Sequence, residues 1–207
     1  MDAAAEDRSQ TPEDRSHTPD VAAARERLVE LLREHALVLG EVTLTSGRVA
    51  QYYVDAKRAI MLPEAYVALG VLVAEQARAM GASAVGGVPV SAIPVACAAL
   101  GVPQAPEKGF IVRKERKQHG LQRWIEGPQL GSGERCVIVE DVVTSGGSTI
   151  EAIRRVREEG LTVAGVVSVL DRLAGGGEAI QTELGADAKY TALSTIDEVY
   201  PERPDRG

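Results

Sequence analysis

Cysteine is scarce in this sequence. Only Cys97 and Cys136 occur, one inside an Ala/Val-rich segment and the other opening an apolar run. Both read as reduced core residues, since free cysteine is among the most buried residue types. Neither stands with a histidine at a spacing suited to zinc, and His17, His35 and His119 are scattered. Long apolar runs are lacking too. None approaches the roughly 20 residues that span a bilayer, so no membrane association is expected. The opening MDAAAEDRSQTPEDRSHTPD is acidic and has no apolar centre. It does not read as a signal peptide, and a cytoplasmic location is expected. Basic charge is also in deficit. The net charge of −7 argues against a general affinity for nucleic acid.

What is present is the composition of a globular α/β protein: 207 residues, 44% apolar, 26% charged, 21 glycines. That length suits one sizeable core rather than two domains. Residues 1–20 and 201–207 read as tails, the first disordered, with a single domain at 21–200. Asp20 can cap a helix carrying Leu28, Leu31, Leu32 and Leu39 and ending near Gly40. EVTLTSGRVAQYYVDAK reads as two short strands around a Ser-Gly-Arg turn. From Pro63 onward, helical segments alternate with Val/Ile-rich runs, and the polar stretch 114–135 shows no period. Near-continuous β-branched runs separated by helices imply a mostly parallel central sheet with helices on both faces. Such sheets bind ligands beyond the carboxyl ends of their strands. Gly86-Gly87, Arg113 onward, Glu140 to Ser148, and Asp171-Arg172 therefore become candidate site positions.

The stretch CVIVEDVVTSGGST, residues 136–149, ends a buried strand in two adjacent acids. Its hydroxyls at Thr144, Ser145, Ser148 and Thr149, its glycines and the helix after them make a site for a phosphate dianion. The ATP-binding loop is excluded, because Gly-Lys-Ser/Thr is absent. Glu140 and Asp141 would repel phosphate but suit hydroxyl donors such as a ribose diol, or a divalent metal. A phosphate and a diol one sugar apart describe a ribose 5-phosphate. The second charged feature is residues 107–123, with six bases against Glu107 and Glu115. A local basic cluster on an acidic chain suggests a small anionic ligand.

VIVEDVVTSGGST resembles the 5-phosphoribosyl-1-pyrophosphate motif of the type I phosphoribosyltransferases. The resemblance implies that family's fold, with a small N-terminal hood formed by residues of about 21–60 plus a C-terminal helix. It assigns the phosphoribosyl substrate to Glu140, Asp141, Val142, Val143, Thr144, Ser145, Gly146, Gly147 and Ser148. RKERKQHG (Arg113–Gly120) is similar to the mobile loop of the orotate phosphoribosyltransferases. That implies that Arg113, Lys114, Lys117 and His119 meet pyrophosphate, and that loop 113–120 of a homodimer enters the neighbouring site. TLTSGRVAQYYVD resembles the substrate loop of that family and SVLDR its orotate-binding strand end, which gives Tyr53 and Arg172 to orotate, and Thr144 of the phosphoribosyl motif is assigned with them. The chain departs from many bacterial members in having Thr45 before the Ser-Gly-Arg turn and no lysine in GGVPVSAIP.

The implied reaction joins orotate to 5-phosphoribosyl-1-pyrophosphate, giving orotidine 5′-monophosphate and pyrophosphate on the route to UMP. Lys114 and Asp141 are the implied catalytic residues. Mg²⁺ is the implied cofactor, bridged by substrate with no direct side-chain ligands assigned. Two other readings stay open: a phosphoribosyltransferase for another base, and a non-catalytic regulator that senses the phosphoribosyl compound.

Overall fold

A computed structural model of the chain describes residues 20–43, 49–116 and 123–206. Helix α1 (Val21–His35) starts where Asp20 accepts hydrogen bonds from the amides of Ala22 and Ala23 at 3.0 and 3.1 Å, satisfying two of the donors that every helix start leaves open. It buries Leu28, Leu31 and Leu32. The expected continuation to Gly40 is corrected: Leu39 lies in strand β1 (Leu37–Thr43), opposite Tyr52 of the antiparallel strand β2 (Val49–Val54). Pairing with β2 satisfies the Leu37–Leu39 backbone, and Gly40 carries a φ of 113° that no helix accommodates.

Beyond this hairpin come a short helix α2 (Lys57–Ile60) and then α3 (Pro63–Ala79), with Pro63 in its first turn. The alternating part continues as β3 (Ala84–Gly87), α4 (Ala92–Leu100), β4 (Lys108–Val112), β5 (Ile125–Glu126), β6 (Arg135–Val143), α5 (Gly147–Glu158), β7 (Thr162–Asp171), α6 (Gly176–Leu184), β8 (Lys189–Thr195) and α7 (Ile196–Val199). The sheet order is β5-β4-β3-β6-β7-β8. Neighbours are parallel except β5, which runs antiparallel to β4 at the edge. β5 comes from the stretch in which the sequence showed no period, because two residues cannot display one.

Successive residues of a strand face opposite sides of a sheet, and β6 puts this alternation to use. Val137 and Val139 join a core built with α1, α3 and α4. Cys136 and Ile138 join a second core with α5 and α6. Each of these β6 side chains is therefore buried whichever way it points, which is why the strand reads as an unbroken apolar run. The hairpin β1–β2, α1 and α7 gather beside one end of the sheet. Arg25 and Arg33 of α1 bind the side chain and the carbonyl of Glu198 in α7. This arrangement brings β2 over the carboxyl ends of β6 and β7.

Candidate active site

The two adjacent acids lie against each other at the end of β6 but meet different neighbours. Glu140 continues the Cys136–Ile138 face and turns to α5, where it accepts hydrogen bonds from Ser148 Oγ and Thr149 Oγ1, each at 3.2 Å. Asp141 continues the Val137–Val139 face and turns toward the hood, with its Oδ2 4.0 Å from Lys57 Nζ. The two residues are only 7% and 8% exposed. Burial is the main reason that the Glu140 carboxyl is pushed up to about 7, with Asp141 beside it as the second cause. The pair is thus two buried acids with different neighbours, one braced against α5 and the other beside Lys57.

Thr144, Ser145, Gly147 and Ser148 are exposed at the start of α5, whose positive end faces the loop they form. Gly146 caps this helix with a φ of 77°, and a Cβ there would sit 2.9 Å from the Gly176 carbonyl oxygen. Only glycine meets both demands cheaply. Ser148 gives its hydroxyl to Glu140 in this arrangement, which leaves Thr144 and Ser145 as the exposed hydroxyls directed away from that contact. Val142 and Val143 complete β6, with Val143 in the core.

Arg172 comes directly after the last residue of β7, its amide donating to Val143 O at 2.9 Å. Asp171 shapes that turn. Its Oδ1 accepts from Leu173 N at 2.7 Å and its Oδ2 from Tyr190 Oη at 2.8 Å. The Arg172 guanidinium lies over the Tyr52 ring, 5.0 Å from its centroid. A cavity of about 460 Å³ opens here, with Gln51, Tyr52, Thr144, Arg172, Ala174 and Asp205 in its wall. Thr144 thereby joins the loop before α5 to the cavity. Tyr53, expected in this pocket, is absent from the cavity wall and 38% exposed, whereas Tyr52 is 3% exposed. Alternation admits only one of two consecutive tyrosines to one face, and the pairing of Leu39 with Tyr52 selects it.

The basic segment leaves the carboxyl end of β4. Arg113 pairs with Glu126 of β5 and donates to the Glu115 carbonyl at 3.1 Å. Arg116 pairs with Glu158 at 2.6 Å. Trp124 donates from Nε1 to Glu158 at 2.9 Å, and Arg116 and Arg155 lie over its ring at 5.5 and 4.8 Å. Lys114 is exposed. Lys117, His119, Thr45 and the Ser46-Gly47-Arg48 turn lie outside the described residues. Lys57, which no sequence motif marked, is bound to Asp55 at 2.6 Å and stands beside Asp141. A lysine two residues beyond an aspartate at the end of a hood strand was its only trace in the sequence. The loop Val88–Ser91, where the expected lysine is missing, comes after β3 and contains a cis peptide between Pro89 and Val90.

Comparison with known proteins agrees with this geometry. Residues 84–186 match the phosphoribosyl transferase domain. An orotate phosphoribosyltransferase of Corynebacterium glutamicum is 44% identical over 162 residues, covering 78% of this chain and 88% of that protein. One from Mycobacterium tuberculosis is 43% identical over 159 residues, covering 77% and 88%. The crystal structure of the Mycobacterium tuberculosis orotate phosphoribosyltransferase with Fe(III) dicitrate superposes with a TM-score of 0.76 at 40% identity, covering 86% of this chain and 99% of that one. The same enzyme in complex with 5-phospho-α-D-ribosyl 1-diphosphate gives 0.72 at 35% identity, covering 85% and 98%. The mostly parallel sheet, the helices on both its faces and the hood are those of the type I phosphoribosyltransferase fold, and the chain belongs to the orotate phosphoribosyltransferase family.

Proposed function

We propose that the cleft over the carboxyl ends of β6 and β7 binds 5-phosphoribosyl-1-pyrophosphate and orotate side by side and transfers the phosphoribosyl group between them. The observation that carries this reading is that Thr144 joins the loop before α5 to the cavity at Arg172, a few residues after the two buried acids that end the strand. The exposed loop Thr144–Ser148 suits the 5′-phosphate, the acids Glu140 and Asp141 suit the ribose hydroxyls, and the cavity at Arg172 suits a planar anionic base. Thr144 belongs to both the loop and the cavity wall. An Arg fork matches a carboxylate in two parallel hydrogen bonds, which is how Arg172 takes orotate.

As the C–O bond to pyrophosphate breaks, oxocarbenium-like charge develops on the ribose; the orotate ring nitrogen forms the new C–N bond and gives up its acidic proton to the departing pyrophosphate or to water. The chain holds both partners in line and excludes water. Lys114, with Arg113, Lys117 and His119, neutralises the leaving pyrophosphate. Lys57, beside Asp141, adds a fixed cation on the hood side of the ribose. The donor set fits Mg²⁺ held mainly by substrate. Two buried acids supply hard oxygen donors. Glu140 and Asp141 are the residues that would hold it, and when bound it supplies charge neutralisation at pyrophosphate and hydroxyl oxygens.

The acting species is a homodimer in this reading, with the basic segment reaching the partner's cleft. Met61, Val67 and Val90 are large, exposed apolar residues of the kind that a subunit interface covers. Among the described residues no helix is long and apolar enough to cross a membrane. The decisive assay tracks orotate absorbance on adding 5-phosphoribosyl-1-pyrophosphate and Mg²⁺, with adenine, guanine, xanthine and uracil tested by pyrophosphate release. Turnover of orotate alone is expected. Turnover of another base instead would overturn the reading of Arg172, and tight binding without turnover would make the protein a sensor.

A further inference from the structure

Residues 200–206 form no helix or strand beyond turns, yet they reach the cavity. Pro204 and Asp205 stand in its wall with Arg172. The segment is tied down at both sides. Arg203, whose side chain is only 11% exposed, pairs with Asp197 of α7 and also meets Asp205 Oδ1 at 3.1 Å. Tyr52 then donates its phenol hydrogen to Asp205, 3.1 Å from Oδ1 and 3.0 Å from Oδ2. Tyr200 packs edge-on against the Tyr52 ring, at 5.3 Å between centroids and 82° between planes. The face of that same ring carries the Arg172 guanidinium.

These contacts form one path from α7 through Arg203, Asp205 and Tyr52 to Arg172. We propose that Tyr52 and Asp205 are positioning residues for orotate: they fix the aromatic plane on which the Arg172 guanidinium rests and so keep its N–H fork directed into the base cavity. This rests on the reading that Arg172 takes the orotate carboxylate. An arginine left to itself samples many rotamers, and ordering it at the moment of binding reduces affinity. A guanidinium stacked on a fixed ring is already ordered, and stacking leaves the donors along its edge available for a carboxylate. Arg203 serves the same end by charge. A bare Asp205 in the cavity wall would repel an anionic base, and the guanidinium beside it offsets that field.

The test compares Tyr52→Phe, Asp205→Ala, their double variant and Arg172→Ala in steady-state assays with each substrate varied in turn. Losing one hydrogen bond to a charged group should raise KM for orotate about tenfold in each single variant, with kcat and the KM for 5-phosphoribosyl-1-pyrophosphate held within about twofold. The double variant should be no worse than the worse single one, because both cut the same path. Asp205→Asn, which keeps an acceptor for the phenol, should recover most of the loss. Tyr52→Phe keeps the buried ring and Asp205 is largely exposed, so folding is not at stake.

An orotate KM unchanged in Tyr52→Phe and Asp205→Ala, but raised in Arg172→Ala, would overturn this inference and leave the site reading intact. An orotate KM unchanged in Arg172→Ala would remove the site reading itself. Additive losses in the double variant would break the shared path. Parallel rises in both KM values with a lower melting temperature would reduce the pair to structural support.

Discussion

The carboxyl ends of β6 and β4 bear the two charged features of this chain, and they are built on opposite principles. At β6, the acids are buried, Glu140 is braced by two hydroxyls of α5, and a left-handed glycine fixes the loop. At β4, the cations are exposed or half-exposed and held by surface acids: Arg113 by Glu126 and Arg116 by Glu158. Exposed ion pairs of this kind are worth about 0–1 kcal/mol, so they exchange readily for a stronger anionic partner. The difference teaches a division of labour. The acids at β6 are fixed by burial and hydrogen bonds, whereas the two arginines at β4 rest on surface acids they can leave.

The largest expected effect falls on the exchangeable side. Lys114→Ala should lower kcat roughly 10²-fold or more, the size of a lost charge contact in a transition state. An unchanged kcat would take the β4 segment out of the chemistry and end the comparison.

The fixed side is sharpened by pH. Burial holds the Glu140 carboxyl at about 7, above its value in an unfolded chain, so the folded state keeps the proton longer. The stabilisation is complete below the unfolded value, near pH 4, and is lost as pH rises through about 7. Denaturant unfolding at pH 5 to 8 should show wild type losing on the order of 3 kcal/mol relative to Glu140→Gln, which cannot titrate. Parallel curves would mean that Glu140 is already ionised in the fold.

A smaller effect tests whether the two regions act across subunits. Mixing and refolding Lys114→Ala with an inactive Asp141→Asn variant should restore about one quarter of wild-type activity, since half of the dimers are mixed and each holds one intact site. No recovery would place both regions in one chain's cleft. Smallest of all, Glu126→Gln should shift stability by no more than about 0.5 kcal/mol and lower the KM for 5-phosphoribosyl-1-pyrophosphate slightly, by releasing Arg113. A large loss of stability there would show that the β4 end is no less fixed than the β6 end.

How legible these regions were depends on their physics. The β6 end was readable because its message is local: an apolar run, two acids, hydroxyls and glycines in sequence order. The alternation of Val/Ile runs with helices disclosed the parallel sheet for the same reason. What escaped depends on partners distant in the chain. Leu39 fitted a helical face, and only pairing with β2 made it a strand residue. The phase of Tyr52 and Tyr53 was set by that pairing. Lys57 gains meaning from Asp141, 84 positions later, and Asp205 from Tyr52, 153 positions earlier. No periodicity within either segment records such meetings.

Trp124 is the only tryptophan of the chain, and it sits where the basic segment returns to the sheet, its indole hydrogen-bonded to Glu158 beneath the guanidinium groups of Arg116 and Arg155. The protein therefore carries its own optical gauge. Its tryptophan emission comes from a single place, and that place changes polarity and charge whenever Arg116 leaves Glu158. Stopped-flow fluorescence of the unlabelled protein on adding 5-phosphoribosyl-1-pyrophosphate would report a release of Arg116 from Glu158, and a flat trace would show the pair held.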